Sequence, residues 1–365
     1  MTIGTERKGG PGEVDAEIAS TALPPSHGHL PRWTPWAGLA GTAVVVGVVL
    51  AVTGFNTALF LVATAVVYAV GMYVLSRVVE GRRKATDRLV TIVVTSAFLV
   101  ALAPLVSVVF TVVKNGLARF DVEFFTYSMR GVVGEGGGAY HALMGTLIIT
   151  SLAALMSIPV GLMTAIYLVE YGKGRLARAI TFFVDVMTGI PSIVAGLFAY
   201  ALFAIFFGPG IRMGFAGSVA LCVLMIPVVV RATEEMLKIV PNELREASYA
   251  LGVPKWRTIL KVVLPTSIAG IASGVTLAIA RVIGETAPLL IAVGITTGVN
   301  LNPFDGRMAT LPVFAYYQYV APGVPREPYI DRAWTAALLL IIIVMVLNLV
   351  ARLIARMFAP KTAGR

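Results

Sequence analysis

"EASYALGVPKWRTILKVVLP", Glu246–Pro265, lies between two long apolar runs. Yet it carries Glu246, Lys255, Arg257 and Lys261, a tryptophan at position 256, and the helix-interrupting Gly252-Val253-Pro254. What surrounds it decides the fold. Of 365 residues, 58% are hydrophobic and 13% charged, and the mean hydropathy is +0.86. A soluble domain would be about half apolar and about a quarter charged. The composition therefore predicts a polytopic, all-α membrane protein. About 20 apolar residues cross a bilayer as a helix, and eight such runs occur: Trp36–Phe55, Thr57–Leu75, Leu89–Val113, Ala142–Val169, Ala179–Phe207, Phe215–Val230, Ser267–Gly294 and Trp334–Phe358. The single cysteine, Cys222, lies inside one of them and excludes a disulfide framework. The three histidines, His27, His29 and His141, form no metal-ligand spacing.

Lys and Arg are spread unevenly between the runs. With the N-terminus cytoplasmic, inner segments hold 21 of the 29 basic residues and outer segments hold 7; the remaining one, Arg281, lies within a run. That bias sets orientation and accounts for the net charge of +10 without a nucleic-acid partner. It places both termini and Glu246–Pro265 on the cytoplasmic side. Residues 1–35, polar and bearing Pro and Gly, are expected to be a disordered cytoplasmic tail and not a signal peptide. Residues 36–84 form an extra N-terminal transmembrane hairpin turning at Gly54-Phe55-Asn56. Two outer segments are long. Lys114–His141 holds Phe124, Phe125, Tyr127 and a flexible GEGGG at Gly134–Gly138, and Ile295–Arg332 is rich in Pro, Asn and aromatics.

The polar stretch itself reads as a pair of short helices within a loop spanning residues 235–265. Asn242 is a candidate N-cap, Gly252 a left-handed C-cap, Pro254 the block to continuation, and Pro265 the end of the second helix. Ala247, Ser248 and Ala250 give a small-residue face suited to close approach, with charges flanking it.

Glu246-Ala247-Ser248, three residues, Gly252, nine residues and Val262-Val263-Leu264-Pro265 resemble the EAA loop of bacterial ABC importer permeases, with Ser for the second Ala and Val for Ile. The resemblance implies a coupling helix that docks a cytoplasmic ATPase through Glu246, Ala247, Ser248, Gly252, Pro254 and Trp256. The alternative is an ordinary interfacial amphipathic hairpin. No Gly-x-x-x-x-Gly-Lys-[Ser/Thr] occurs, so the chain is expected to bind no cofactor itself, with ATP and Mg held by a separate ATPase. "TGIPSIVAGLF" (Thr188–Phe198), "ARVIGETAPLL" (Ala280–Leu290) and the segment from "MATLPVFAYYQY" to "RAWTAALLLIIIVMVLNLVAR" resemble phosphate importer permeases of the PstA type. The resemblance covers about residues 85–358 and makes 85–360 a type-I permease domain. It implies a PstC-like permease forming a heterodimer with this chain, a PstB-like ATPase dimer, a PstS-like phosphate-binding protein and a bacterial plasma-membrane location.

The residues point independently to a pathway. A guanidinium within a membrane is costly and persists only when paired or functional. Counting from Ser267, Arg281 lies roughly 21 Å into its run, and counting from Arg178, Ser192 lies at a similar depth. Pro191 frees backbone groups there, tolerated only beside protein or a watery cavity. Arg281, Glu285, Ser192 and Thr188 are the candidate substrate-pathway residues. An Arg fork suits a tetrahedral oxyanion. It can instead pair with Glu285, four residues on and on the same face. Asp185 is expected to be a satisfied polar residue of the bundle or the partner of a base at the inner mouth, and Arg231 a topology anchor. The expected function is the membrane-spanning, non-catalytic half of an ATP-driven phosphate importer, with another oxyanion such as molybdate or sulfate as the alternative. An intramembrane enzyme would need a nucleophile–base or metal constellation within the spans. A secondary transporter would show inverted repeats and its own ion-coupling carboxylates.

Overall fold

The computed structural model describes residues 28–358; the expected tail therefore lies almost wholly outside the described residues. Among those residues every regular element is a helix. Seven helices are long and apolar enough to cross a membrane, or eight if one bent pair counts as a single crossing. By internal contacts the chain divides after Val108 into two compact units.

The first unit is built on α1 (Thr34–Thr53) and α2 (Thr57–Val79), which turn through Gly54–Asn56 as the sequence predicts. Most of their valines, among them Val44, Val45, Val48, Val62 and Val66, face outward, as lipid-facing helices require. The turn into α3 (Arg82–Gly116) is organised by a buried acid, Glu80. Its carboxylate accepts from the Leu30 amide at 3.0 Å, the Ser76 hydroxyl at 2.8 Å and Arg88 Nη2 at 2.8 Å. Burial pushes this carboxyl up, but those donors, with Lys84 nearby, outweigh it and hold it below the ordinary carboxylate range. Pro104 sits inside α3 without ending it.

The second unit holds α4 (Val122–Thr126), α5 (Tyr140–Ile166), α6 (Gly174–Thr188), α7 (Ser192–Phe207), α8 (Gly214–Ile239), α9 (Asn242–Ala250), α10 (Lys255–Thr258), α11 (Leu264–Ile283), α12 (Ala287–Ala292), α13 (Leu311–Val320) and α14 (Glu327–Phe358). Its centre is the packing of α5 on α8, with Ile149, Leu221, Met225 and Val229 fully buried among residues of α7, α11 and α12. Small residues let these helices approach. A Cβ on Gly161 would stand 2.7 Å from Val229, and one on Gly274 would stand 2.6 Å from the Ala232 Cβ.

Three expectations are corrected here. The fifth apolar run is not one straight helix: α6 and α7 meet at 108°, because Gly189-Ile190-Pro191 breaks the ladder. The seventh run ends early, at Ile283, and α12 follows as a separate short helix. Pro265 does not terminate the helix before it. A π turn at Ile259–Val263 leads from α10 into α11, and Pro265, in the first turn of α11, is passed without ending the helical path.

The two long segments expected outside are packed as well. Phe124 is fully buried against Ala142, Leu311 and Phe314. The Gly134–Gly138 stretch, expected to be flexible, is held by two arginines. Arg332, fully buried, donates Nη1 to the carbonyls of Gly134 at 2.7 Å and Gly136 at 2.9 Å, and lies 4.5 Å from the Tyr329 ring centroid. Arg119 Nη2 donates to the Gly137 carbonyl at 3.0 Å. Glycine-rich backbone offers unshielded carbonyls, and guanidinium forks satisfy several at once.

Candidate functional site

Two regions of the second unit carry the predicted residues. The first is the α9–α10 hairpin. Its turn rests on Gly252, whose φ of 73° falls in the left-handed region that glycine adopts without strain. The Gly252 amide donates to the Tyr249 carbonyl at 2.9 Å and the Val253 amide to the Ser248 carbonyl at 3.2 Å, closing α9 as expected. Asn242 is not the N-cap. It is the first residue of α9, after Pro241, and its side-chain oxygen accepts from Arg245 at 3.3 Å. Ser248 faces inward, and its hydroxyl shares a hydrogen bond of 2.8 Å with that of Thr258, stapling the two short helices. Ser248 is therefore not on the exposed face of the hairpin. Glu246, Ala247, Gly252, Pro254 and Trp256 are exposed, and so is Leu251, 83% accessible at the tip.

Sequence spacing does not reveal what holds this hairpin. Arg245, half-buried beside Glu246, donates Nε and Nη2 to Glu170 Oε1 at 3.1 and 2.9 Å. The same guanidinium satisfies the Val240 carbonyl at 2.6 Å and the Leu237 carbonyl at 2.9 Å, the free end of α8. Glu170 is buried in a π turn, Tyr167–Tyr171, that closes α5. Lys255 donates to the Glu170 carbonyl and lies 4.8 Å from the Tyr171 ring centroid. Removing one partner of such a buried pair costs about 3–5 kcal/mol, because the other charge is left unpaired. These contacts join residues 75 and 85 positions apart, so no local pattern announces them.

The second region is where the two helix breaks meet. α7 packs against α12, and the contact is close: a Cβ on Gly196 would stand 2.6 Å from the Pro288 Cα. "TGIPS" and "GETAP" are thereby brought to one place. The depth counting that put Arg281 and Ser192 at one level does not carry over, because α6 turns away from α7 and the path leading to Arg281 begins far earlier, at Lys255. Ser192 opens α7 and is half-buried. Thr188 is exposed, and its hydroxyl donates to the Val184 carbonyl at 2.9 Å. Arg281 lies in the last turn of α11, with its side chain exposed, and Glu285 lies half-buried just beyond the helix end. Among the described residues neither is in an ion pair, so the expected Arg281–Glu285 pair is not formed. The helix stops at Ile283, which removes the one-turn register that would have aligned them.

Asp185 has a partner on a neighbouring helix. Arg231 of α8 reaches it from Nη2, while its Nη1 donates to Glu234 at 2.8 Å, and Glu234 in turn accepts from Lys238 at 2.7 Å. Arg231 thus links α6 to α8. No group of three or more His, Cys, Asp and Glu side chains suited to a metal occurs among the described residues.

The family model described as "Binding-protein-dependent transport system inner membrane component" matches residues 157–364, which take in the helix breaks and the hairpin. The phosphate transport system permease protein PstA 1 of Mycobacterium tuberculosis (strain CDC 1551 / Oshkosh) is 49% identical over 276 residues, 75% of this chain and 90% of that protein. PstA of Mycobacterium leprae (strain TN) is 49% identical over 281 residues, covering 76% and 90%. PstA of Yersinia pestis is 36% identical over 284 residues, covering 76% and 92%. Among solved structures, the MetNI methionine ABC transporter in an inward-facing conformation superposes with a TM-score of 0.49 at 21% identity, over 61% of this chain and 94% of that one.

Proposed function

The chain belongs to the PstA family of binding-protein-dependent transport permeases, and from that membership we propose that it forms half of the translocation pathway of an ATP-driven inorganic phosphate importer. One observation carries the substrate: 49% identity to a phosphate transport permease along 90% of that protein's length. The chain is a transport component, and ATP hydrolysis belongs to a separate, PstB-like ATPase dimer. A PstC-like permease completes the pathway, and a PstS-like protein delivers phosphate from outside. Both termini face the cytoplasm of a bacterial plasma membrane.

In this reading the hairpin presents Glu246, Ala247, Gly252, Pro254, Trp256 and the apolar tip Leu251 to the ATPase. Closure of the ATPase dimer moves the hairpin, and α10 with α11 carries that movement to Arg281. The pathway runs past the meeting of the two breaks. There Thr188, Ser192 and Glu285 border the route, and Arg281 is the cation that receives a tetrahedral oxyanion on two N–H groups at once. Its exposure and its lack of an acidic partner support that assignment over simple charge balance. Glu285, close by in sequence, disfavours an anion that lingers, which suits passage over storage.

The test is uptake of labelled phosphate by the assembled complex in vesicles, with sulfate and molybdate as competitors. Phosphate uptake that requires ATP and resists a hundredfold excess of sulfate and molybdate is expected. Uptake of either competitor anion with phosphate inert would assign the pathway to another oxyanion.

A further inference from the structure

Glu170 takes no part in the pathway or the docking face, yet it is a buried carboxylate at the point where three elements converge. Its side-chain oxygen holds Arg245 of α9, and its backbone carbonyl holds Lys255 of α10. Arg245 simultaneously caps the end of α8 through Leu237 and Val240. The residue before the docking Glu246 is therefore bolted to α5, and the first residue after the hairpin turn is bolted to the same peptide. Both attachments fall within one π turn, a rare single-turn feature that is frequent at functional sites. Gly172 follows at once, and a Cβ there would meet the Leu168 carbonyl at 2.5 Å, so the chain leaves the π turn packed closely on its own preceding turn.

A hairpin held only by its own chain ends would pass movement to α8 and α11 alone. α5 reaches the hairpin through Glu170. We propose that Glu170 is a positioning residue for coupling: it makes α5 move with the α9–α10 hairpin, so that ATPase closure rearranges the α5–α8 core and not the hairpin by itself. The inference rests on the docking reading given above. Glu170 touches neither nucleotide nor phosphate and acts through Arg245 and Lys255.

The experiment uses the complete complex, this chain co-expressed with its partner permease and ATPase, reconstituted in vesicles. Glu170→Gln keeps the shape and removes the charge. The expected result is normal assembly, ATP hydrolysis within about twofold of wild type, and at least a tenfold fall in phosphate moved per ATP hydrolysed. Glu170→Asp, which keeps the carboxylate and leaves Arg245 in place on the Leu237 and Val240 carbonyls, is expected to retain much more of that ratio than Glu170→Gln. A merely structural role would lower assembly, hydrolysis and uptake in proportion and leave the ratio unchanged; that result overturns the proposal. So does an unchanged ratio in a well-assembled Glu170→Gln complex. Should wild-type complex itself hydrolyse ATP without moving phosphate, the functional reading fails instead, and the two failures are separate.

Discussion

At the scale of a residue, Arg281 carries the sharpest consequence. It was recognisable in the sequence because a cation among apolar residues stands out. Its relation to Glu285 was not, because a four-residue interval implies a shared face only while the helix continues, and α11 stops at Ile283. With no ion pair to balance, replacing both residues tests the anion directly. Arg281→Gln with Glu285→Gln is expected to insert and assemble normally while phosphate uptake per complex falls about tenfold or more, the loss of one charge-assisted hydrogen-bond set. Arg281→Lys is expected to be impaired too, since an ammonium offers no fork. Near-normal uptake by the double variant would reduce Arg281 to an incidental charge.

Elements divide into those that hydropathy can find and those that long-range contacts shape. α1, α2 and α5 lie within about four residues of their predicted runs, and α14 shares its predicted end but starts seven residues earlier, because an unbroken apolar stretch leaves a membrane helix few alternatives. Pro191 announces a break in the backbone ladder, but the sharpness of the α6–α7 corner is not legible, for a physical reason. Averaged hydropathy runs straight across Gly189-Ile190-Pro191, although those residues break the backbone ladder. The clamp on the hairpin was equally hidden, since Arg245 and Glu170 look like ordinary loop charges until the fold joins them. The turn between α2 and α3 offers a measurable case of the same kind. Glu80 faces Arg88, with Lys84 and His29 close by, and its carboxyl titrates below the usual range. A depressed folded-state value stabilises the fold fully above the ordinary carboxylate pKa of about 4.3 and loses that contribution as pH falls through the lower folded value. Wild type should therefore exceed Glu80→Gln by about 2 kcal/mol at neutral pH. Thermal unfolding in detergent should show the two converging below about pH 4. A gap that stays constant with pH would remove the carboxylate from the explanation.

For the whole molecule, the distribution of basic residues makes a claim about sidedness that geometry alone does not. The segment carrying Asp305 is assigned outside, opposite the hairpin, and Asp305 is exposed. Asp305→Cys in a Cys222→Ala background should react with a membrane-impermeant maleimide added to intact cells. Labelling only after permeabilisation would invert the orientation. Cys222 is suited to removal, as its thiol meets only the Ser157 hydroxyl, at 2.9 Å, within the α5–α8 packing.

One continuous path links the two ends of the second unit. From Lys255 through the π turn to Ile283 the chain stays helical, and its closest approach to a neighbour is at Gly270 and Gly274. A Cβ at Gly270 would meet the Met236 sulfur at 2.2 Å, and one at Gly274 the Ala232 Cβ at 2.6 Å. A rod pinned along its length is a lever, and that contact is its fulcrum. Taken from midway between Gly270 and Gly274, the arm toward the hairpin is about 26 Å and the arm toward Arg281 about 13 Å, at 1.5 Å per residue. Tilting about the fulcrum sends the two ends in opposite senses and delivers the stroke at Arg281 reduced by about half. In the proposed reading, a push at the hairpin end becomes a smaller, reversed and correspondingly more forceful displacement at Arg281.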